Sequence, residues 1–213
     1  MLTVHHLGRS QSERIVWLCE ELGLEYELKR YDRNATNRLA PPELKALHPM
    51  GTAPVIFDGD LVLAESGAIV EYIITKHGGG RLALSPSHPD YAQYLYWFHF
   101  ANASLQALGH RYMIIRRLEA APDNPTRLDT EGRIARALGM IDKRLGEVDY
   151  LAGKELTAAD IMIFFSLTTM RTFVPFDLAP YPNVLRYLRR IGEREAYRRA
   201  MQKGDPGREL QLS

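Results

Sequence analysis

Leu2 and Val4 alternate with polar or histidine positions, the period of a strand, and the pattern changes at Ile15, Leu18, Cys19 and Leu22 to helical spacing that Gly23 stops. Tyr26 to Tyr31 reads as a second strand, and the helix between the two predicts a parallel crossover unit. Val55-Ile56-Phe57 and Leu61-Val62-Leu63 flank Asp58-Gly59-Asp60, where Asp-Gly favours the positive-φ turn of a tight hairpin. The third and fourth strands are therefore expected to be antiparallel. A helix from Ser66 carries Ile69, Val70, Ile73, Ile74 and His77 on one face and ends at Gly78-Gly79-Gly80. Residues 1–80 thus form an expected α/β domain with a mixed sheet, ordered β-α-β-β-β-α, with an irregular stretch before the third strand.

The segment RLALSPSHP has two prolines and no period, which predicts a linker over 81–88. From 89 to 213 an all-α helical-bundle domain is expected. Tyr91, Tyr94, Leu95 and Phe98 share one stripe, Ile134, Leu138, Ile141 and Leu145 another, and APDNPT at 121–126 interrupts them as a loop. Leu156-Thr157-Ala158-Ala159-Asp160-Ile161 has the form of a capping box, with Leu156 and Ile161 placed as a hydrophobic staple. The helix it opens, IMIFFSLTTM, is apolar on nearly every side and belongs at the centre of the bundle. Val184, Leu185, Leu188 and Ile191 mark one more helix before a polar C-terminus.

Composition narrows the function. Twenty-seven basic against 26 acidic residues leave +1, a field that gives no reason to expect nucleic-acid or membrane partners. A single cysteine, Cys19, excludes an internal disulfide, a CxxC pair and a cysteine-rich zinc site, and its place mid-helix predicts a core residue. The N-terminus turns polar within six residues and no apolar run approaches a membrane span, so the expected location is the cytoplasm.

Three segments could carry chemistry. In Gly51-Thr52-Ala53-Pro54-Val55, a proline opens a strand; a cis Ala53-Pro54 bond would turn the Ala53 backbone outward as an edge for a peptide-like ligand, whereas a trans proline would merely open an edge strand. In Ala64-Glu65-Ser66-Gly67, a strand runs into a helix whose free N–H groups and positive dipole end suit a carboxylate, with Glu65 available to an ammonium group. Plain capping by Ser66 is the alternative. In Gly8-Arg9-Ser10-Gln11-Ser12, a hydroxyl near the first helix's N-terminus could donate to a ligand thiolate and lower a thiol pKa from ~8.5 towards neutrality, or Ser10 and Ser12 could simply be cap residues. A tripeptide thiol with an α-amino acid head group, such as glutathione, fits all three devices.

These segments, SQSERIVWLCEELGLEYEL, LHPMGTAPVI and LVLAESGAIVEYI in that order, resemble the N-terminal, thioredoxin-like domain of cytosolic glutathione transferases, particularly serine-type theta-like and related bacterial and fungal members, and YLAGKELTAADIMIF resembles that family's helical-domain capping motif. The resemblance implies Ser10 as the thiolate-stabilising serine, with Ser12 as its rival. It implies that the Ala53 backbone before Pro54 pairs with the cysteinyl part of glutathione, and that Glu65 and Ser66 hold the γ-glutamyl end. Gln11 stands near the place where mixed-disulfide-forming members carry cysteine. Thr52 stands where many relatives carry lysine, so Lys45 or Arg38 is expected to meet the glycyl carboxylate. A homodimer is implied, acting on a small, mainly apolar electrophile. The electrophile pocket would combine the loop before Ser10 with the second domain's first helices, through Asn102, Leu105, His110, Arg111 and Tyr112. Reduction of a peroxide or disulfide on the same scaffold, or a non-enzymatic binding role, are the competing functions.

Other signals dissolve on inspection. His77-Gly78-Gly79-Gly80 lacks the GxSxG elbow that an esterase oxyanion loop requires, and Ala152-Gly153-Lys154 lacks the flanks of a phosphate loop. His5 and His6 point to opposite faces of a strand, so no metal is expected. Arg186, Arg189, Arg190, Arg194, Arg198 and Arg199, interleaved with Glu193 and Glu195, read as a solvated helix face.

Overall fold

Strand β1 (Leu2–Leu7) lies inside a four-stranded sheet of order β2-β1-β3-β4 in a computed structural model that describes all 213 residues. It pairs parallel with β2 (Glu27–Tyr31) and antiparallel with β3 (Val55–Asp58), which pairs antiparallel with β4 (Leu61–Ala64). Gly59 takes the positive φ of 60° in the hairpin between β3 and β4, as the Asp-Gly pair predicts. All six β1 positions are buried, not alternate ones, because both faces of the strand are covered.

Helix α1 (Glu13–Leu22) crosses from β1 to β2 and ends at Gly23, whose φ of 65° lets its N–H reach the Cys19 and Glu20 carbonyls. A short helix α2 (Pro42–Lys45), absent from the sequence expectation, fills the irregular stretch. Its Leu44 packs with Leu7 and Ala53. Helix α3 (Ser66–Lys76) follows β4 and carries the expected Ile69, Val70, Ile73 and Ile74 inward, while His77, just beyond it, bonds Asp58 at 2.7 Å.

The remaining helices are α4 (Tyr91–Phe100), a π-helical segment Ala101–Gln106, α5 (Ala107–Arg117), α6 (Pro125–Glu147), α7 (Ala158–Leu167), a 3₁₀ turn Thr169–Thr172, α8 (Pro182–Gly192) and α9 (Glu195–Gly204). Helix α6 starts inside the expected loop 121–126, because Asn124 caps it by accepting from the N–H groups of Thr126 and Arg127. Helix α7 is buried at all ten positions and opens with the expected capping box. Asp160 accepts from the N–H groups of Leu151 and Thr157 and from the hydroxyls of Thr157 and Tyr187. Burial pushes its carboxyl above the ordinary range, and these four donors oppose that shift.

The chain divides into two compact units: Met1–Ala83 with Gly192–Glu209, and Leu84–Ile191 with Leu210–Ser213. The expected division placed everything after residue 89 in the helical half, whereas α9 packs along α1 in the first unit. The arginine-rich end is correspondingly not a freely solvated face. Arg199 and Lys203 pair with Glu20 at 3.0 and 2.5 Å, and Arg194 pairs with Glu21 at 2.7 Å. Trp17 of α1 meets Tyr197 of α9 edge-on. Cys19 is fully buried in α1, and burial pushes its thiol up to about 12, with Glu20 adding to the shift.

Candidate functional site: the entrances of α1 and α3

The turn from β1 into α1 is held from several directions. Arg9 adopts φ 55°, a conformation that costs a non-glycine residue on the order of 1 kcal/mol. Its N–H donates to both carboxylate oxygens of Asp205 at 3.1 Å. Arg33 reaches across from the segment after β2, donating to the Gly8 carbonyl at 3.1 Å and the Arg9 carbonyl at 3.0 Å. These bonds over-determine the turn and deliver Ser10 to the entrance of α1.

There the Ser10 Oγ accepts from the Ser12 N–H at 3.2 Å and lies 2.6 Å from the Ser12 Oγ. Ser12 is wholly buried, with its hydroxyl engaged by the Leu7 N–H at 3.0 Å and His6 Nδ1 at 2.9 Å, while Ser10 keeps 6% exposure. Of the two candidates, Ser10 is the less deeply buried, and Ser12 stands behind it.

The Ala53-Pro54 peptide bond is cis. Gln11, the residue after Ser10, donates from Nε2 to the Ala53 carbonyl at 3.2 Å, which ties the α1 entrance to this loop. Thr52 is exposed beside it. The two candidate cations differ in placement: Lys45 ends α2 with its stem against Gly51, since a Cβ there would lie 3.5 Å from Lys45 Cγ. Arg38 is exposed in the loop after β2, and its backbone carbonyl accepts from Arg33.

Glu65, immediately before α3, takes φ 71° and is exposed, whereas Ser66 is buried at the first helical position. A strained acidic residue at a helix entrance is a common mark of a ligand site. Beneath Ser66 lies Arg14, fully buried, which donates to Ser66 Oγ at 3.2 Å and Gln11 Oε1 at 3.1 Å. Burial lowers its guanidinium to about 9, which still leaves it charged at neutral pH. A fixed positive charge thus underlies the α3 N-terminus. Sequence reasoning missed Arg14 because an arginine in a helical pattern normally reads as a solvent-facing residue; its only signal was its spacing, one turn from Ser10.

The five residues proposed from sequence for the electrophile pocket have divergent surroundings within the helical unit. Asn102 and Leu105 lie on the π-helical segment, with Leu105 buried in the core. His110 and Arg111 are exposed on α5, and Arg111 faces Asp129 at 3.4 Å. Tyr112 donates to Glu131 at 3.0 Å and packs against the cluster of Phe165, Met170 and Val174. Leu105 is thus a packing residue, and Arg111 and Tyr112 are turned to the acids of α6.

A thioredoxin-like domain joined to an all-helical domain, with a hydroxyl, a cis-proline loop and a basic helix entrance gathered on the first, defines a class of two-domain thiol-handling proteins. Comparison with known proteins narrows the class. The family model of the glutathione S-transferase N-terminal domain matches residues 1–75, and that of the C-terminal domain matches residues 96–195. Glutathione S-transferase 3 of Schizosaccharomyces pombe is 32% identical over 95% of this chain and 88% of its own length, and glutathione S-transferase 1 of Saccharomyces cerevisiae is 28% identical over 95% of both. The crystal structure of a glutathione S-transferase from Actinobacillus pleuropneumoniae superposes with a TM-score of 0.88 at 34% identity, covering 100% of this chain and 98% of that one. A Phanerochaete chrysosporium glutathione transferase solved with oxidized glutathione shares the fold, with a TM-score of 0.77 at 22% identity over 95% of this chain and 94% of that one. The chain belongs to the glutathione S-transferase family. No helix is long and apolar enough to cross a membrane.

Proposed function

We propose that this glutathione transferase binds glutathione across the entrances of α1 and α3 and adds its thiolate to small, mainly apolar electrophiles. Ser10 is the donor to sulfur. The observation that carries this reading is the Ser10 hydroxyl at the positive end of α1, less deeply buried than Ser12, which backs it at 2.6 Å. A hydrogen bond and a helix dipole aimed at a thiolate favour the ionised form; a shift of two pH units corresponds to about 2.7 kcal/mol.

The other contacts follow from charge and geometry. The backbone of Ala53 pairs with the cysteinyl part of the tripeptide. Ser66 and the α3 N-terminus receive the γ-glutamyl carboxylate, with the Arg14 charge beneath, and exposed Glu65 takes the ammonium group. Lys45, with its stem along Gly51 next to Thr52, is the better placed of the two cations for the glycyl carboxylate. The working unit is a homodimer in the cytoplasm, as the family suggests. The P. chrysosporium structure was solved with oxidized glutathione, which agrees with a glutathione ligand on the shared fold.

The test is a glutathione titration of wild type, Glu65→Gln and Ser66→Ala, followed by turnover with a chlorinated aromatic and with a hydroperoxide. Millimolar or tighter binding, weakened in both variants, with aromatic turnover dominant, is expected. Absence of binding at millimolar glutathione would sink the reading, and turnover confined to the hydroperoxide would replace conjugation by reduction.

A further inference from the structure

Behind Ser10 runs a buried chain of polar groups that ends in the C-terminal segment. Ser12 Oγ lies 2.6 Å from Ser10 Oγ, His6 Nδ1 lies 2.9 Å from Ser12 Oγ, and the Asp205 carboxylate lies 3.6 Å from His6 Nε2. Ser12, His6 and Asp205 have relative exposures of 0%, 0% and 4%. Gly204 makes the approach possible, because a Cβ there would lie 3.1 Å from His6 Nε2. The charged groups facing the pair are the arginines of the turn and its neighbours, Arg9, Arg33 and Arg208, with Arg30 of β2 holding the Gly204 carbonyl at 2.8 Å.

A hydroxyl has one proton and two lone pairs, so the Ser12 proton goes to Ser10, to His6 Nδ1 or to the Leu7 carbonyl, 3.4 Å away, and only the first two join the chain from end to end. One Ser12 lone pair is taken by the Leu7 N–H. If His6 Nδ1 donates to Ser12, then Ser12 donates to Ser10, and the Ser10 proton points out towards a ligand sulfur. If Nδ1 is bare, Ser12 donates inward to it, Ser10 donates to Ser12, and Ser10 meets the ligand with lone pairs alone. The Asp205 carboxylate faces Nε2 at 3.6 Å without a hydrogen bond, so with an Nε2–H turned to that charge the outward direction is open only when Nδ1 carries a proton too. In the outward arrangement every hydroxyl in the chain is satisfied, and the Ser10 donor is free for a thiolate.

We propose that Asp205 and His6 are positioning residues that set the direction of the Ser12–Ser10 hydroxyl pair, so that the C-terminal segment after α9 governs how strongly Ser10 stabilises the glutathione thiolate. This inference rests on the role given to Ser10 above. It makes the end of α9 part of the activating machinery although Asp205 touches neither ligand nor Ser10.

The experiment measures the thiol pKa of bound glutathione by thiolate absorbance in the full-length wild type, Asp205→Asn, Ser12→Ala and Ser10→Ala, with glutathione affinity and thermal midpoint recorded for each. Asp205→Asn keeps an oxygen for the Arg9 N–H but loses the charge, and Ser12→Ala cuts the chain without altering α9. Both are expected to raise the thiol pKa by about one pH unit, a tenfold fall in its ionisation constant, with affinity at pH 6, where the bound thiol is mostly protonated, within about twofold of wild type. If both match wild type while Ser10→Ala raises the pKa, the relay is overturned and the Ser10 assignment stands. If Ser10→Ala also matches wild type, the Ser10 assignment itself fails. Should Asp205→Asn melt before ligand binds, Ser12→Ala decides alone: an unchanged pKa there overturns the proposal.

Discussion

Replacing Arg14 by methionine separates stability from binding, because the same buried charge acts on the two in opposite directions. Burial lowers the Arg14 guanidinium from its ordinary value to about 9, which at 1.36 kcal/mol per pH unit is a cost to folding of about 5 kcal/mol. Against this stand its hydrogen bonds, among them those to Ser66 Oγ and Gln11 Oε1, each contributing about 1.5–3 kcal/mol as bonds to a charged donor. The two sides nearly cancel, and methionine refills much of the volume, so Arg14→Met is expected to change unfolding free energy by less than about 2 kcal/mol. Glutathione experiences no such cancellation. A carboxylate bonded to Ser66 would lie roughly 5–6 Å from the guanidinium, an attraction of about 3 kcal/mol at an effective dielectric of 20, so affinity should fall about a hundredfold. Urea unfolding and calorimetric glutathione titration of wild type and Arg14→Met measure both quantities. A variant that loses more than about 4 kcal/mol of stability yet binds glutathione normally would refute the reasoning.

Three further outcomes are expected. Cys19, fully buried with its thiol pushed up to about 12, should react with an aromatic disulfide reagent only after denaturation; rapid labelling of the native protein at pH 8 would contradict its place in the core. Asp160→Ala should cost about 3 kcal/mol in urea unfolding, since it strands the buried N–H groups of Leu151 and Thr157 and the Tyr187 hydroxyl; a loss below about 1 kcal/mol would show that the capping box is dispensable. Glu20 and Asp205 are buried, which alone would raise them, but their hydrogen-bonding and charged partners hold both below the ordinary carboxylate range. A depressed acid contributes stability that is complete above its unfolded value and is lost as pH falls through the folded one, so this contribution fades below about pH 4. Comparing the thermal midpoint at pH 7 and pH 3.5 in wild type and in Glu20→Gln/Asp205→Asn should give a smaller acid-induced drop in the double variant; an equal drop would remove these two groups as its cause.

Local devices were readable along the chain and long-range charge pairing was not. The period of Leu2 and Val4, the Asp-Gly hairpin and the Thr157–Asp160 box each depend on residues within one turn or one strand, so the four strands, α1, α3 and the central helix α7 could be read directly, whereas the four-residue α2 could not. The strand-opening proline at 54 raised the cis bond that the structure contains. Helix α9 was different. Its Arg199 and Lys203 meet Glu20, and Arg194 just before it meets Glu21, more than 170 residues away in sequence, and opposite charges at that separation leave no periodic trace. The π-helical register at Asn102 and the turning of Arg111 and Tyr112 towards α6 have the same origin: neighbours in space chosen by packing, which spacing does not encode. Arg14 and Asp205 escaped notice for a related reason. A charged residue acquires meaning at a site only once burial has removed its access to water.

The most direct test of the central claim is the pH titration of glutathione thiolate absorbance on the wild-type protein and on Ser10→Ala. The bound thiol should ionise about two pH units below free glutathione in the wild type and return most of the way in the variant, a difference of about 2.7 kcal/mol. Coincident titration curves for the two proteins, with glutathione demonstrably bound to both, would contradict the assignment of Ser10 as the thiolate donor.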